Sequence, residues 1–246
     1  MIVRELGDHY TLVRQAEHAR MSGVIAAHLR VEFLGEPQEQ LDIVRGAAHH
    51  DIGWNFWDDS PRFQANGLPI NFPDIEKGEH RDCWTRMIFM NLELHGPAAA
   101  VFVTRHGEEL DDVKENTAVS ERRELMKALL ARAYPGLSDE EREERKERGF
   151  RALFFGDALS LIACAGWDHT LELELWRRGG EPLRCRARRD GDWSVRISPW
   201  PFATDEVRKV HVDGVVIPKG MESQCRAILA QPREYRRRLF VDYLPE

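Results

Sequence analysis

At 246 residues the chain is long enough to close a sizeable hydrophobic core without disulfides, and 42% hydrophobic with 31% charged residues excludes a disordered or fibrous protein. A net charge of −7 leaves no global positive field for a nucleic-acid backbone, so a dedicated DNA- or RNA-binding function is set aside and no nucleic-acid partner is expected. No run approaches the roughly 20 apolar residues of a membrane span, and MIVRELGDHY lacks the layout of a signal peptide, so a cytoplasmic protein without a membrane partner is expected.

From Thr11 to Arg30, Leu12, Ala16, Ala19, Val24 and Ala27 recur at helical spacing, which predicts a first helix carrying His18. A second helix is expected from Pro37 through Leu41, Val44 and Ala48 to His50 and Asp51, where Gly53 can end it. Residues 55–78 hold prolines, glycines and aromatics without helical period and read as a long ordered loop. Helical patterning returns from Glu79 to Leu94, breaks at Gly96-Pro97 and resumes to Gly107, placing His80 and His106 on successive helices. Residues 108–149 are strongly charged, and EREERKER at 141–148 reads as a solvated helix face. Ser138 and Glu141 have capping-box spacing, so a long helix is expected to start there and run to Gly166, with Phe150, Leu153, Phe154, Leu161 and Cys164 as its buried stripe.

Beyond Gly166, Leu171, Leu173 and Leu175 alternate with Glu172 and Glu174 as in a half-buried strand. Gly179-Gly180, Asp190-Gly191 and Asp213-Gly214 read as turns of a small antiparallel meander, followed by a short helix near 221–231 and a terminal strand in RRLFVDYL. The expected fold is mainly α, a helical domain over 1–166 with a small antiparallel α+β appendage over 167–246 packed on it as one unit. Cys83, Cys164, Cys185 and Cys225 are scattered, without a C-x-x-C pair, and read as reduced packing residues.

Two features carry chemistry. Asp157 falls on the apolar side of its helix, one turn after Phe154 and one before Leu161, and a carboxylate there must be protonated, salt-bridged, hydrogen-bonded or ligating a metal. His50-Asp51 sits at a helix end in the context AAHHDIG, with His49 as a competing histidine.

That context resembles the HD metal-dependent superfamily, in which the dyad ligates a divalent metal. QAEHARMSG, AAHHDIGWNFWD, LPINFPD, VFVTRH, GDALSLIAC and ISPWPF extend the likeness to an uncharacterised bacterial family within it, over nearly the whole chain. The resemblance implies an HD-type helical bundle and a ligand order H…HD…H…H…D, filled here by His18, His50, Asp51, His80, His106 and Asp157. His95 competes with His80 for the fifth place, while His9, His28, His169 and His211 fit none. Such ligands suit two divalent ions of iron, manganese, zinc or cobalt, with Asp51 able to bridge them.

Most HD proteins are phosphohydrolases, so the resemblance implies a dinuclear hydrolase acting on a phosphoester of a small molecule or nucleotide, with Asp51 and His50 in the reacting centre. Arg20 and Arg105 are phosphate contacts by proximity to His18 and His106, although neighbouring positions on a helix point away from the ligand face. Trp54 stands where many relatives carry a Lys and would form an apolar wall against a small-molecule substrate. The same ligand order is similar to that of mixed-valent di-iron oxygenases that break C–C or C–P bonds. A third alternative is a non-catalytic, metal-containing binding module. Whether the tail closes the site as a lid or joins two copies in a homodimer is open.

Overall fold

The computed structural model describes residues 1–110 and 117–246; residues 111–116, inside the charged stretch, lie outside the described residues. The chain opens with strands: β1 (Ile2–Glu5) and β2 (His9–Val13) form an antiparallel hairpin, and α1 (Gln15–Ala27) begins only after it. The expected helix start at Thr11 is therefore corrected. Leu12 happens to lie at helical spacing from Ala16 and Ala19, but Thr11 and Val13 are β-branched, and β2 finds a distant partner strand to complete its hydrogen bonds.

After α2 (Val31–Leu34), α3 (Pro37–His49) starts where expected, with Pro37 in its first turn and Glu36 and Glu39 closing a capping box. The 55–78 segment is not wholly loop, since it contains α4 (Asn55–Asp59) and a 3-10 turn at Phe72–Asp74. Helices α5 (Lys77–His95) and α6 (Pro97–Leu110) flank the break at Gly96, and α7 (Thr117–Ala133) precedes α8 (Asp139–Ala165). The Ser138–Glu141 capping box forms at the head of α8 as expected.

Strands β3 (Leu171–Leu175), β4 (Leu183–Gly191), β5 (Ser194–Ser198), β6 (Lys209–Pro218) and β7 (Arg236–Pro245) follow, with α9 (Cys225–Ala230) between the last two. All join β1 and β2 in one seven-stranded sheet of order β1-β2-β6-β7-β5-β4-β3, antiparallel except for β5 against β7. This overturns the expected helical bundle with a small antiparallel appendage. The sheet is large, mixed and built from both ends of the chain, because the N-terminal hairpin pairs with β6. Asp213-Gly214 is likewise no turn. It lies inside β6, where a side chain on Gly214 would come within 3.1 Å of the Leu12 carbonyl oxygen across the sheet.

Helix α8 lies between the helical layer and the sheet. It packs against α1, α3 and α6 on one side and β1, β3, β4 and β5 on the other, so its segment from Arg148 to Cys164 is buried almost all round. The run at 141–148 is not simply solvated. Arg145 and Arg148 converge on Glu39 of α3 at 3.1 and 2.9 Å, and Glu147 receives Arg105 of α6 at 2.8 Å, so the run ties both helices to α8. All four cysteines are buried and unpaired, and among the described residues no helix is long and apolar enough to cross a membrane.

Candidate metal centre

Three close-packed helices set the site. At the α1–α3 crossing a Cβ on Gly23 would lie 2.5 Å from the Ala48 Cβ, and at the α1–α8 crossing one on Gly156 would lie 2.7 Å from the Ser22 carbonyl oxygen. Only glycine permits backbones this near. His18 projects from the first turn of α1, His50 caps the end of α3 with Asp51 beyond it, and Asp157 projects from α8 into the same interior. His106 arrives from α6.

His18 Nε2 lies 2.8 Å from Asp51 Oδ2 and His50 Nε2 lies 3.1 Å from Asp157 Oδ1. The other Asp157 oxygen is 3.7 Å from His106 Nε2, and the His50 ring meets those of His18 and His106 edge-on at 5.2 and 5.1 Å. Every member is buried.

Burial disfavours charge on each, and the neighbours decide the outcome. For His50 the Asp51 and Asp157 carboxylates overcome burial and lift it to about 9. Both carboxyls are held below their ordinary range, because the imidazoles outweigh the desolvation that would raise them. His106 goes the other way: burial dominates and pushes it down to about 4, leaving a neutral ring.

The hydrogen bonds behind the cluster decide whether a metal fits. His50 Nδ1 donates to the Ala47 carbonyl oxygen at 2.8 Å, so Nε2 faces Asp157 with the proton that the two carboxylates hold on it or, once a cation displaces that proton, with a lone pair. Ser160 Oγ gives its one hydrogen to the Asp157 carbonyl oxygen at 2.7 Å, so the 3.0 Å contact with His18 requires Nδ1 of that ring to donate. With Nδ1 so engaged, His18 Nε2 faces Asp51 Oδ2 at 2.8 Å, a contact that needs either a proton or a cation between the two atoms. His50 Nε2 and Asp157 Oδ1 are both buried without a hydrogen-bond partner despite their proximity. Facing acceptors of this kind repel one another unless a proton or a cation lies between them, and imidazole–carboxylate donors suit a borderline divalent ion. Among the described residues His18, His50 and Asp157 each offer a ligand atom, all within 4.8 Å of one another, and Asp51 adjoins them. The residues present fit a metal.

A family model described as Protein of unknown function (DUF3891) matches residues 1–219. The chain belongs to this family. The matched span of the DUF3891 chain runs from β1 through β6 and so includes every residue of the cluster. No curated protein and no solved structure matches it.

Beside the cluster, the DUF3891 chain opens into a cavity of about 600 Å³, lined by His18, Asp51, His106 and Asp157 together with a largely apolar wall. His80 lines the cavity as well but makes its contacts elsewhere: its Nε2 donates to the Phe72 carbonyl oxygen at 3.0 Å. Its ring also meets Trp54 and Trp84 edge-on. His50 rather than His49 enters the cluster, and the His49 ring lies tilted against that of His95 with centroids 4.5 Å apart. Trp54 is buried in the cavity wall. Arg20 and Arg105 turn away: Arg20 binds the His211 carbonyl oxygen, while Arg105 pairs with Glu109 and Glu147.

Two residues that carry weight here have no strong local signature. Ser160 sets the His18 tautomer from a position one turn beyond Asp157, a spacing that points to the same helix face once Asp157 is known. Gln15, one turn before His18, lines the cavity with its Oε1 buried and unpartnered.

Proposed function

We propose that the chain is a metal-dependent hydrolase of the HD type, acting on a phosphoester of a small molecule. The observation that carries this reading is the buried cluster of His18, His50, Asp51 and Asp157, whose outward ring nitrogens are engaged by Ser160 and Ala47 while the inward ones face carboxylate oxygens. These four side chains would hold the ion, with His106 beside Asp157 as a further neutral donor. A divalent ion in this place supplies Lewis acidity at neutral pH, making water nucleophilic and drawing charge from a phosphoryl oxygen.

The chain's own residues do the rest. Asp51 and Asp157 set the charge of the centre, and Ser160 and Ala47 orient its imidazoles. The wall around Trp54 keeps bulk water from the reacting group. In the net reaction a water oxygen bonds to phosphorus, the ester P–O bond breaks, and the alcohol leaves with a proton. His80 stands outside the group of ligand atoms that lie within 4.8 Å of one another, its ring set against Trp54 and Trp84, which favours one ion over two and hence hydrolysis over a di-iron oxygenation.

Elemental analysis of protein purified anaerobically, before and after reconstitution, tests this together with a phosphoester panel. About one manganese, zinc, cobalt or iron per chain, lost in His50→Ala and Asp51→Ala, is expected together with phosphate release. Two irons per chain with O₂ uptake would replace this reading by the oxygenase. Failure to bind metal after reconstitution would overturn both and leave a binding module.

A further inference from the structure

We infer that the substrate of this site carries a bulky apolar body, an aromatic ring system or a branched hydrocarbon, joined to the reacting group. The inference rests on the proposed hydrolase for the reacting group, and on the cavity wall alone for the body.

The wall is assembled from Trp54, Phe72, Trp84, Phe154, Leu161 and Trp167, which come from both the helical layer and the segment leading into the sheet. The exposed Lys77 and Glu172 mark the mouth, whereas Trp54 and Leu161 are buried beside the ligand cluster. Outside His18, Asp51, His106 and Asp157, the polar side chains of the described wall inside its mouth are the buried Gln15 and the half-buried His80 and Arg81. At about 600 Å³ the cavity is of the size that encloses a drug-sized molecule.

This composition discriminates between substrate classes. A nucleoside or sugar presents several donors and acceptors, each of which loses its water on entering and needs a partner. Gln15 offers one amide, with one oxygen awaiting a donor, His80 is engaged by Phe72, and Arg81, one helical turn from Lys77, offers donors only, so the mixed donors and acceptors of a base and a ribose are not matched inside the wall. A hydrocarbon body gains instead, each buried methylene tightening binding roughly fourfold. The wall is also held in place before binding, because the Trp54 and Trp84 rings both meet His80 edge-on, at 4.9 and 5.8 Å between centroids, and His80 is itself anchored to Phe72.

The test uses the full chain with two sets of probes. Binding of 1-naphthol to metal-free protein is followed by quenching of tryptophan emission, and the zinc- or manganese-loaded protein is offered ethyl, butyl, hexyl and octyl phosphate, 1-naphthyl phosphate and adenosine monophosphate. We expect naphthol to bind without metal, kcat/KM to rise at least tenfold from ethyl to octyl phosphate, and the nucleotide to be the poorer substrate. Trp84→Ala and Trp167→Ala, both at partly exposed positions, should each weaken naphthol binding and flatten the chain-length series while metal content is retained. A flat series with ethyl phosphate and the nucleotide turned over equally well would overturn the inference and leave the hydrolase standing. Naphthol binding lost in both variants, with no ester hydrolysed under any metal, would support the apolar cavity and remove the hydrolase. Naphthol binding unchanged in both variants would place the probe elsewhere and overturn the inference.

Discussion

Replacing Ser160 by alanine removes one oxygen from a fully buried position and adds no bulk. In the native chain that oxygen accepts from His18 Nδ1 at 3.0 Å because its own hydrogen is given to the Asp157 carbonyl at 2.7 Å. Without it, the tautomer that presents Nε2 to the centre leaves a buried N–H unpaired, at a cost of about 1–3 kcal/mol. Since each 1.4 kcal/mol is tenfold, the zinc dissociation constant should rise by roughly 5- to 150-fold, in the range seen when an outer partner of a ligating histidine is removed. Competition against a chromogenic chelator at pH 7 reads the constant, and thermal unfolding of the metal-free variant reads any general loss of packing. An affinity within about twofold of the unsubstituted chain would refute the argument that Ser160 sets the tautomer.

Gly23→Ala should destabilise the chain by about 1–3 kcal/mol in urea denaturation and weaken zinc binding, because the new methyl would force apart the helices that carry His18 and His50; unchanged stability would contradict the 2.5 Å approach to Ala48. Glu39→Ala removes the 2.9 Å partner of the buried Arg148 guanidinium, leaving it Glu144 at 3.0 Å, and should cost about 1–3 kcal/mol, part of it recovered in the double variant with Arg148→Met; no recovery would mean that the charge left behind is not the source of the loss. Burial depresses His106 from 6.5 to about 4, so metal-free folded protein binds fewer protons there than the unfolded chain does. That contribution, about 3 kcal/mol, is complete above pH 6.5 and disappears as the pH falls through 6.5 to 4, and His106→Leu should flatten the stability profile in this window. The elevated His50 acts in a separate range, its contribution being complete below 6.5 and lost as the pH rises toward 9. A slope between pH 4 and 6.5 that survives His106→Leu would assign it to other groups.

Signals that act within a turn or two were legible in the sequence. Pro37 and the Ser138–Glu141 capping box open α3 and α8, the Gly96-Pro97 break separates α5 from α6, and the Leu171–Leu175 alternation is β3. The isolation of Asp157 on an apolar helix face announced a buried carboxylate in need of partners, and the His50–Asp51 dyad marked where one of them is. These features depend on backbone groups and side chains a few residues apart, so the local chain contains all of the physics involved.

The rest was decided by partners far away in the chain. Leu12 and Val13 are compatible with a helix until β6 supplies hydrogen bonds on their flank, and Asp213-Gly214 is a turn signal until Leu12 lies across from it. The charged run at 141–148 looks solvated until Glu39 and Arg105 arrive from two other helices. His80 and His106 carry equal promise as ligands in sequence, yet one is drawn to the Phe72 carbonyl and the other to Asp157. The sequence by itself determined which residues have the chemistry to bind a metal and where the long helices α3, α5, α6 and α8 lie. Tertiary structure decided the seven-stranded sheet, the histidines that converge and the apolar cavity beside them, because strand pairing and the meeting of ligands depend on contacts between elements whose separation along the chain leaves no local pattern.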